Sequence, residues 1–351
     1  PQAAAALEAA GAVEWAEPNY IFEPDLVPND PYYASYQAAY LTRIAAPAAW
    51  DVTTGLSSIV VAILDTGVNL AHADLAGAAW TNPGELPGNG VDDDANGFID
   101  DVNGWDFAAG DNVLTDDHGH GTHVAGIVAA RINNGVGIAG LAGGARIMAV
   151  DVFQGGIGAY EDLIRAIIYA TDNGARVINM SLGASSYSLG EEMAVNYAAE
   201  RGVVVVAATG NSGLVERHYP AAHDAVIAVA ATTADDGLAS YSTRGSWVDV
   251  AAPGSSIYSL SASGGYRYSS GTSMATPYVS ALAALLLSYN PSLSPAEVRR
   301  LIEDGADVLG PLGRDIYFGA GRINAARSLA LASPGEEPPP GAGGRPLDVD
   351  P

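Results

Sequence analysis

A set of short apolar runs constrains this chain more than any other feature. "SSIVVAILDTG" (57–67), "ARIMAVDVF" (145–153), "ARVINMSLG" (175–183), "GVVVVAATGN" (202–211) and "DAVIAVAAT" (224–232) are rich in β-branched residues and bounded by turn residues. None shows the alternation of a strand with one wet face, so each reads as a strand covered on both faces. Between them, "AYEDLIRAIIYATDNG" (159–174) and "LGEEMAVNYAAERG" (189–202) carry apolar residues at helical spacing. Both end in glycine, the usual residue just past a helix C-terminus. Strand–helix alternation of this kind predicts an α/β fold, a three-layer doubly wound sandwich around a mostly parallel sheet.

In open parallel sheets, chemistry gathers beyond the carboxyl ends of the strands. Asp65 closes the first run, Ser181 follows "VINM", and Asn211 lies just past "VVVVAATG". Each alone is an ordinary turn residue; their shared edge marks a candidate site. "SSGTSMATPYVSALAALLL" (269–287) sets Ser273 at the start of an apolar helix. A serine there is normally an N-cap, and an exposed nucleophile there would gain from the helix dipole. "DDHGHGTHVAGIVAA" (116–130) holds His118, His120 and His123, half of the chain's 6 histidines, ahead of a helix with Val124, Ile127, Val128 and Ile132 on one face. Within that stretch a metal site, one catalytic base with two neighbours, and plain packing all remain open.

Composition removes several alternatives. The 351 residues carry a formal charge of −25, from 40 carboxylates against 15 arginines and no lysine. Nucleic acid and anionic membranes need basic clusters and are excluded as partners. The balance suits a soluble protein and bound divalent cations. With 0 cysteines, disulfides and thiolate metal sites are ruled out. The longest apolar run, "MATPYVSALAALLL" (274–287), is too short and too interrupted to span a bilayer. No basic and apolar leader opens the sequence, so any signal peptide is expected to have been removed. The stretch 333–351, "SPGEEPPPGAGGRPLDVDP", is Pro/Gly-rich and reads as a disordered tail.

Five motifs in order, "VVAILDTGVNLAHADL", "HGHGTHVAGIVAA", "INMSLG", "AATGNSG" and "GTSMATP", resemble those of the subtilisin-like serine proteases, and most of all the thermitase-like secreted members. "NDPYYASYQ…IAAPAAWDVTTG" resembles the mature N-terminal region, so the resemblance covers roughly 29–332 as one peptidase domain. It implies a serine endopeptidase acting on proteins and peptides. The Asp…His…Ser order is the one known for subtilisin itself. Ser273 would be the nucleophile, His120 its base, and Asp65 the residue that orients and stabilises the imidazole. Asn211 would donate its side-chain amide to the oxyanion beside the backbone N–H of Ser273, with Thr272 a weaker donor. A substrate strand would lie between Ser181–Leu182–Gly183 and Gly156–Ile157–Gly158, and Ala208, Thr209 and Gly210 would wall the primary pocket. "GGIG" supplies two glycines of a dinucleotide fingerprint without completing it.

Two departures from the family pattern concern details. Tyr278 stands where a histidine follows "GTSMATP", at a structural position. His218 falls at the floor of the primary pocket, where a smaller residue is common, and would narrow or polarise it; a plain surface histidine is the alternative. Tyr219–Pro220 is expected to be cis by the same resemblance.

The sequence also points to calcium as a structural cofactor. "DDDANGFIDDVN" (92–103) approaches the twelve-residue calcium loop. Asp92, Asp94 and Asn96 take positions one, three and five, Phe98 offers a carbonyl, and Asp100 holds position nine. Asn103 stands where a bidentate Glu is expected, and Asp101 is the substitute ligand. A solvated acidic turn is the competing reading. By resemblance, Asp74 and Asn134 match ligands of the family's tight calcium site.

Residues 1–28 contain "VEWAEPNYIF", which resembles the end of the family's inhibitory propeptide, so this stretch is expected to be a propeptide remnant and the propeptide a partner. Maturation is expected between Tyr20 and Asn29. A secreted monomer is the overall expectation. Two rival functions are weighed against it: an inert peptide-binding scaffold, disfavoured by the complete residue set, and a metalloenzyme on the three histidines, which lacks a His-Glu-x-x-His pattern.

Overall fold

The computed structural model describes residues 26–310 and 313–332. Most of the expected propeptide remnant and the whole Pro/Gly-rich stretch 333–351 lie outside the described residues. The apolar runs become seven parallel strands: β1 (Val60–Asp65), β2 (Gly104–Asp106), β3 (Arg146–Asp151), β6 (Val177–Met180), β7 (Val204–Ala208), β8 (Val226–Thr232) and β9 (Val250–Pro253). Their order across the sheet is β2-β3-β1-β6-β7-β8-β9. The pairs β4 (Phe153–Gln154) with β5 (Ile157–Gly158), and β10 (Ile257–Leu260) with β11 (Tyr266–Ser269), form two small antiparallel hairpins.

Complete burial of β1, β6, β7, β8 and β9 explains why their sequences do not alternate. Successive residues serve opposite layers. Val61 and Ile63 join the core under the helices α1 (His120–Ala129) and α4 (Thr272–Tyr289). Ala62 and Leu64 join the core under α2 (Tyr160–Asp172) and α3 (Leu189–Glu200). A further helix, α5 (Pro295–Gly305), starts with a reciprocal cap between Ser294 and Glu297. Helices on both faces of a parallel sheet give the three-layer doubly wound sandwich expected from the sequence.

Strand order positions the site. The chain leaves β1 toward β2 and β3 on one side, and later returns to β6 on the other. The carboxyl end of β1 is therefore a switch point, where adjacent connections diverge and leave a crevice. Asp65 is the last residue of β1. Register places Asp151 beside Asp65, and Asp106 beside Asp151. Three carboxylates thus end three neighbouring strands. Burial, reinforced by the charges of Asp106, Asp65 and Asp116, pushes the Asp151 carboxyl up to about 7.

Candidate active site

Asp65 is fully buried, and its Oδ1 lies 2.6 Å from His120 Nδ1. The same oxygen accepts the Thr66 backbone N–H at 2.9 Å. His120 opens α1 behind Gly119, whose φ of 80° turns the chain into the helix. Close approach of this helix to the end of β1 requires Gly121. A Cβ there would lie 2.1 Å from the Gly67 carbonyl oxygen. Asp116 ties the start together by accepting from Thr66 Oγ1, Gly119 N and Thr122 N at 2.8, 2.6 and 2.8 Å. It is buried.

The three histidines separate in space. Burial pulls the His120 pKa down, but the charge and hydrogen bond of Asp65 outweigh it, so the net displacement is upward. His123 is wholly buried, with Nε2 at 3.2 Å from Ile257 O and 3.3 Å from Arg267 O. Burial and the Arg267 charge lower its pKa to about 4, so it is a neutral packed residue. His118 is exposed, its ring 6.2 Å from that of His120. It lines a cavity of about 360 Å³ together with Asp106, Asp151, Gln154 and Gly156. The three rings form no common metal centre.

Ser273 is the second residue of α4. Its hydroxyl donates to the Ser181 carbonyl at 3.1 Å, and Ser181 Oγ donates back to the Ser273 carbonyl at 2.9 Å. That second bond has a local cause. Pro277, one turn along, has no N–H for the Ser273 carbonyl. Ser181 supplies the missing donor and joins the end of β6 to the helix start. Tyr278 is buried, its ring edge-on to Tyr40 at 6.0 Å.

Asn211 lies on the rim, beyond β7. Its Oδ1 accepts the Thr272 backbone N–H at 2.9 Å and the Thr272 hydroxyl at 3.1 Å. Both donors fix the amide with its NH₂ turned away from Thr272. This corrects the expectation for Thr272 as an oxyanion donor: its single hydroxyl proton is committed to Asn211, and the side chain is fully buried. Thr272 Oγ1 also accepts the Gly210 N–H at 3.2 Å. Its side chain ties the Asn211 amide to the Gly210 backbone.

Ser181, Leu182 and Gly183 leave β6, while Gly156 lies in the β4–β5 turn and Ile157 and Gly158 form β5, all three exposed. The His218 ring packs under two glycines: a Cβ on Gly183 would meet it at 2.6 Å, and one on Gly210 at 2.9 Å. It is half-buried, and burial lowers its pKa. A free surface histidine is thereby excluded. Ala208 and Gly210 are both buried, Gly210 against the His218 ring. Thr209 is also fully buried, with Oγ1 enclosed and unpartnered. Its side chain therefore sits behind the expected wall. Tyr219–Pro220 is cis.

The acidic loop assembles differently from its linear spacing. Ligand atoms of Asp92 and Asp94 gather within 4.8 Å of each other together with Glu85, which the sequence reading did not select. Asp100 instead turns to the Asn89 and Gly90 backbone N–H groups at 3.1 and 2.8 Å. Asp101 is buried, accepting from Tyr169 Oη at 2.5 Å and Asn82 Nδ2 at 2.8 Å. Neither belongs to the group of three. Asn96 donates to Asp94 and Asp101, and the Phe98 ring packs against Trp105, Phe107 and Tyr169. At the second expected site, Asn134 Nδ2 donates to Asp74 Oδ1 at 2.9 Å, and Ile138 N donates to Oδ2 at 2.8 Å. Burial pushes Asp74 up to about 6, and the nearby Asp30 charge adds to it. Asp30 is itself buried, with Oδ1 unpartnered.

Comparison with known proteins settles the family. Residues 57–321 match the model of the subtilase family, peptidase S8. The chain belongs to the subtilase family. It is a serine endopeptidase of that family. This subtilase is 44% identical over 318 residues to a thermophilic serine proteinase from Bacillus sp. (strain AK1), covering 90% of this chain and 73% of the relative. It is also 44% identical over 303 residues to thermitase from Thermoactinomyces vulgaris, covering 86% of this chain and 99% of the relative. A solved protease from Pseudoalteromonas arctica PAMC 21717 superposes with a TM-score of 0.72 at 32% identity, over 88% of this chain and 100% of that one. Among the described residues of this subtilase, no helix is long and apolar enough to cross a membrane.

Proposed function

We propose that this subtilase is a secreted, calcium-stabilised endopeptidase in which Ser273, His120 and Asp65 form the catalytic triad. The observation that carries the reading is the 2.6 Å contact between His120 Nδ1 and buried Asp65 at the switch point of the sheet. Asp65 holds the ring so that Nε2 is the basic nitrogen. His120 takes the Ser273 proton as Oγ attacks the scissile carbonyl, then returns it to the leaving amine. The Ser273 N–H, in the first turn of α4 and so without a helical acceptor, and the Asn211 amide stabilise the oxyanion. Water then releases the acyl group by the same route in reverse. Substrate lies between the 156–158 and 181–183 edges, with its primary side chain above His218, which shortens that pocket.

Calcium would be held by Glu85, Asp92 and Asp94, and at a second site by Asp74 and Asn134, with Asp30 close enough to act on Asp74 electrostatically. Carboxylates gathered this closely suit a hard cation that takes oxygen ligands. The unpartnered Asp30 oxygen is likewise a fit for one. The cation's role is stability, since it binds the folded form. The N-terminal stretch 1–28 belongs to the propeptide, and the peptidase domain spans 29–332.

A serine-directed phosphonate tests the triad. One stoichiometric adduct on Ser273 is expected, with no labelling in Ser273→Ala. Labelling elsewhere, or none in a folded enzyme, would refute the assignment.

A further inference from the structure

The turn that carries His218 is fastened at both ends, and the second fastening lies outside every motif of the sequence. Within the turn, the His218 carbonyl accepts the Ala222 N–H at 2.8 Å, and the Pro220 carbonyl accepts the His223 N–H at 3.0 Å. The His223 carbonyl then accepts the Val226 N–H at 3.0 Å, where β8 begins. At its near end, Tyr219 and Ala184 exchange two backbone bonds of 2.8 Å each. These bonds join the turn to the chain just past Gly183. At its far end, His223 Nε2 lies 2.9 Å from Glu191 Oε2.

Glu191 is out of character as a helix-start residue. It is the third residue of α3, where the Ser188 hydroxyl accepts its N–H at 3.3 Å. In a reciprocal cap its carboxylate would return to the Ser188 backbone, as Glu297 does to Ser294 in α5. Instead its side chain is 0% exposed and is spent on His223, itself 4% exposed. The other carboxylate oxygen, Oε1, is buried without a hydrogen-bond partner. Burying a carboxylate with half of its acceptors idle is costly, and capping alone does not call for it. The Tyr219 and Tyr187 rings flank the His223 ring, at 4.8 and 5.9 Å between ring centres.

We propose that Glu191 and His223 are positioning residues for the primary pocket. Their contact clamps the 218–223 turn to the start of α3, fixes the His218 ring, and so sets which side chain is accepted at the residue whose carbonyl is attacked. The inference rests on the reading of His218 as the floor of that pocket. The connections form a ring: chain from Ala184 to Glu191, across to His223, back along the turn to Tyr219, and across to Ala184. Cutting the Glu191–His223 link leaves the turn held at one end only. The His218 ring, now wedged against Gly183 and Gly210, is then free to swing away, and the pocket deepens.

Matched peptides with alanine or phenylalanine at the residue whose carbonyl is attacked test this. The readout is the ratio of kcat/KM for phenylalanine to that for alanine. Removing one member of a buried pair strands the other, whereas replacing both by apolar residues is tolerated, so the main variant is Glu191→Leu with His223→Leu. Its ratio should rise at least about threefold, a coupling of the size found within one contact network. Glu191→Gln keeps a hydrogen bond to His223 and should keep the wild-type ratio. His218→Gly should raise the ratio by itself, and adding the two leucines should raise it no further, because the clamp acts only through that ring. A double-leucine variant that melts lower but keeps the wild-type ratio would show a merely structural pair and overturn the proposal. A further rise on the His218→Gly background would overturn it too. If His218→Gly itself keeps the wild-type ratio, the reading of His218 as the pocket floor falls, and the clamp falls with it.

Discussion

Thr272→Val separates a residue that holds the oxyanion donor from one that is the donor. Valine keeps the buried shape and deletes the hydroxyl. Two hydrogen bonds go with it, the 3.1 Å bond given to Asn211 Oδ1 and the 3.2 Å bond accepted from Gly210 N–H. The 2.9 Å bond from the Thr272 backbone to Asn211 Oδ1 remains, so the amide is loosened without being freed. A neutral hydrogen bond contributes about 0.5–1.5 kcal/mol, and about 1.4 kcal/mol is a factor of ten in rate. The kcat of Thr272→Val should therefore fall about 2–10-fold with KM unchanged. Asn211→Leu, which removes the donor, should cost roughly 10²–10³ in kcat. The deciding variant is the double mutant, in which Thr272→Val should add almost nothing to Asn211→Leu, because the hydroxyl acts only through the amide. The buried Gly210 N–H left without an acceptor costs about 1–3 kcal/mol of stability, so rates are taken at 25 °C and normalised by active-site titration. Fully multiplicative losses in the double mutant would show that the hydroxyl reaches the oxyanion by itself, and the positioning argument would be wrong.

Asp65→Asn should lower kcat by about 10⁴ while leaving the fold intact, because the imidazole loses its anion and its tautomer; a loss under tenfold in steady-state assays would remove Asp65 from the triad. The acidic limb of kcat/KM should lie above the ordinary histidine value of 6.5, since His120 must be neutral to act and its pKa is raised. Arg267 opposes His120 protonation, so Arg267→Gln should move that limb to higher pH; a shift the other way would contradict the electrostatics. Chelation should lower the melting temperature by about 4 °C if cation at a hundredfold over its dissociation constant adds about 2.7 kcal/mol, and Glu85→Gln should reduce the effect in calorimetry. Asp151, raised from 3.8 to about 7, binds a proton in the folded state that the unfolded chain has released. Its contribution is fully present below pH 4 and is lost as pH rises through 7, so Asp151→Asn should raise the melting temperature at pH 8 and not at pH 4; equal shifts at both would refute it.

What the sequence made legible depended on how each residue works. Strands buried on both faces advertise themselves by composition, because every position must be apolar. Asp65, His120, Ser273 and Asn211 sit in short motifs at element ends, where the local chain alone sets their placement. The missed residues are those whose role depends on the path of a loop or on the inside of a packed layer. Glu85 precedes the acidic loop inside "TNPGELPGNG", and no spacing rule ties it to Asp92; only the folding-back of the chain does. Asp100 shows the converse: at a φ of 53°, its carboxylate accepts from the Asn89 and Gly90 N–H groups, a pairing that linear counting cannot see. Thr272 looked like a donor because its hydroxyl stands next to the nucleophile, yet a hydroxyl has one proton and Asn211 claims it.

The same accounting of donors explains why the helix that carries Ser273 can start where it does. Pro277 within the second turn leaves the Ser273 carbonyl without its helical donor, a defect that would ordinarily destabilise a helix. Here Ser181 Oγ fills the gap at 2.9 Å from the end of the neighbouring strand, and the Ser273 hydroxyl answers at 3.1 Å. The proline therefore couples the Ser273 backbone to the end of β6 through a pair of reciprocal bonds. A motif residue that reads in isolation as a helix breaker becomes, once the sheet is in place, the reason that Ser181 and Ser273 are held as one unit.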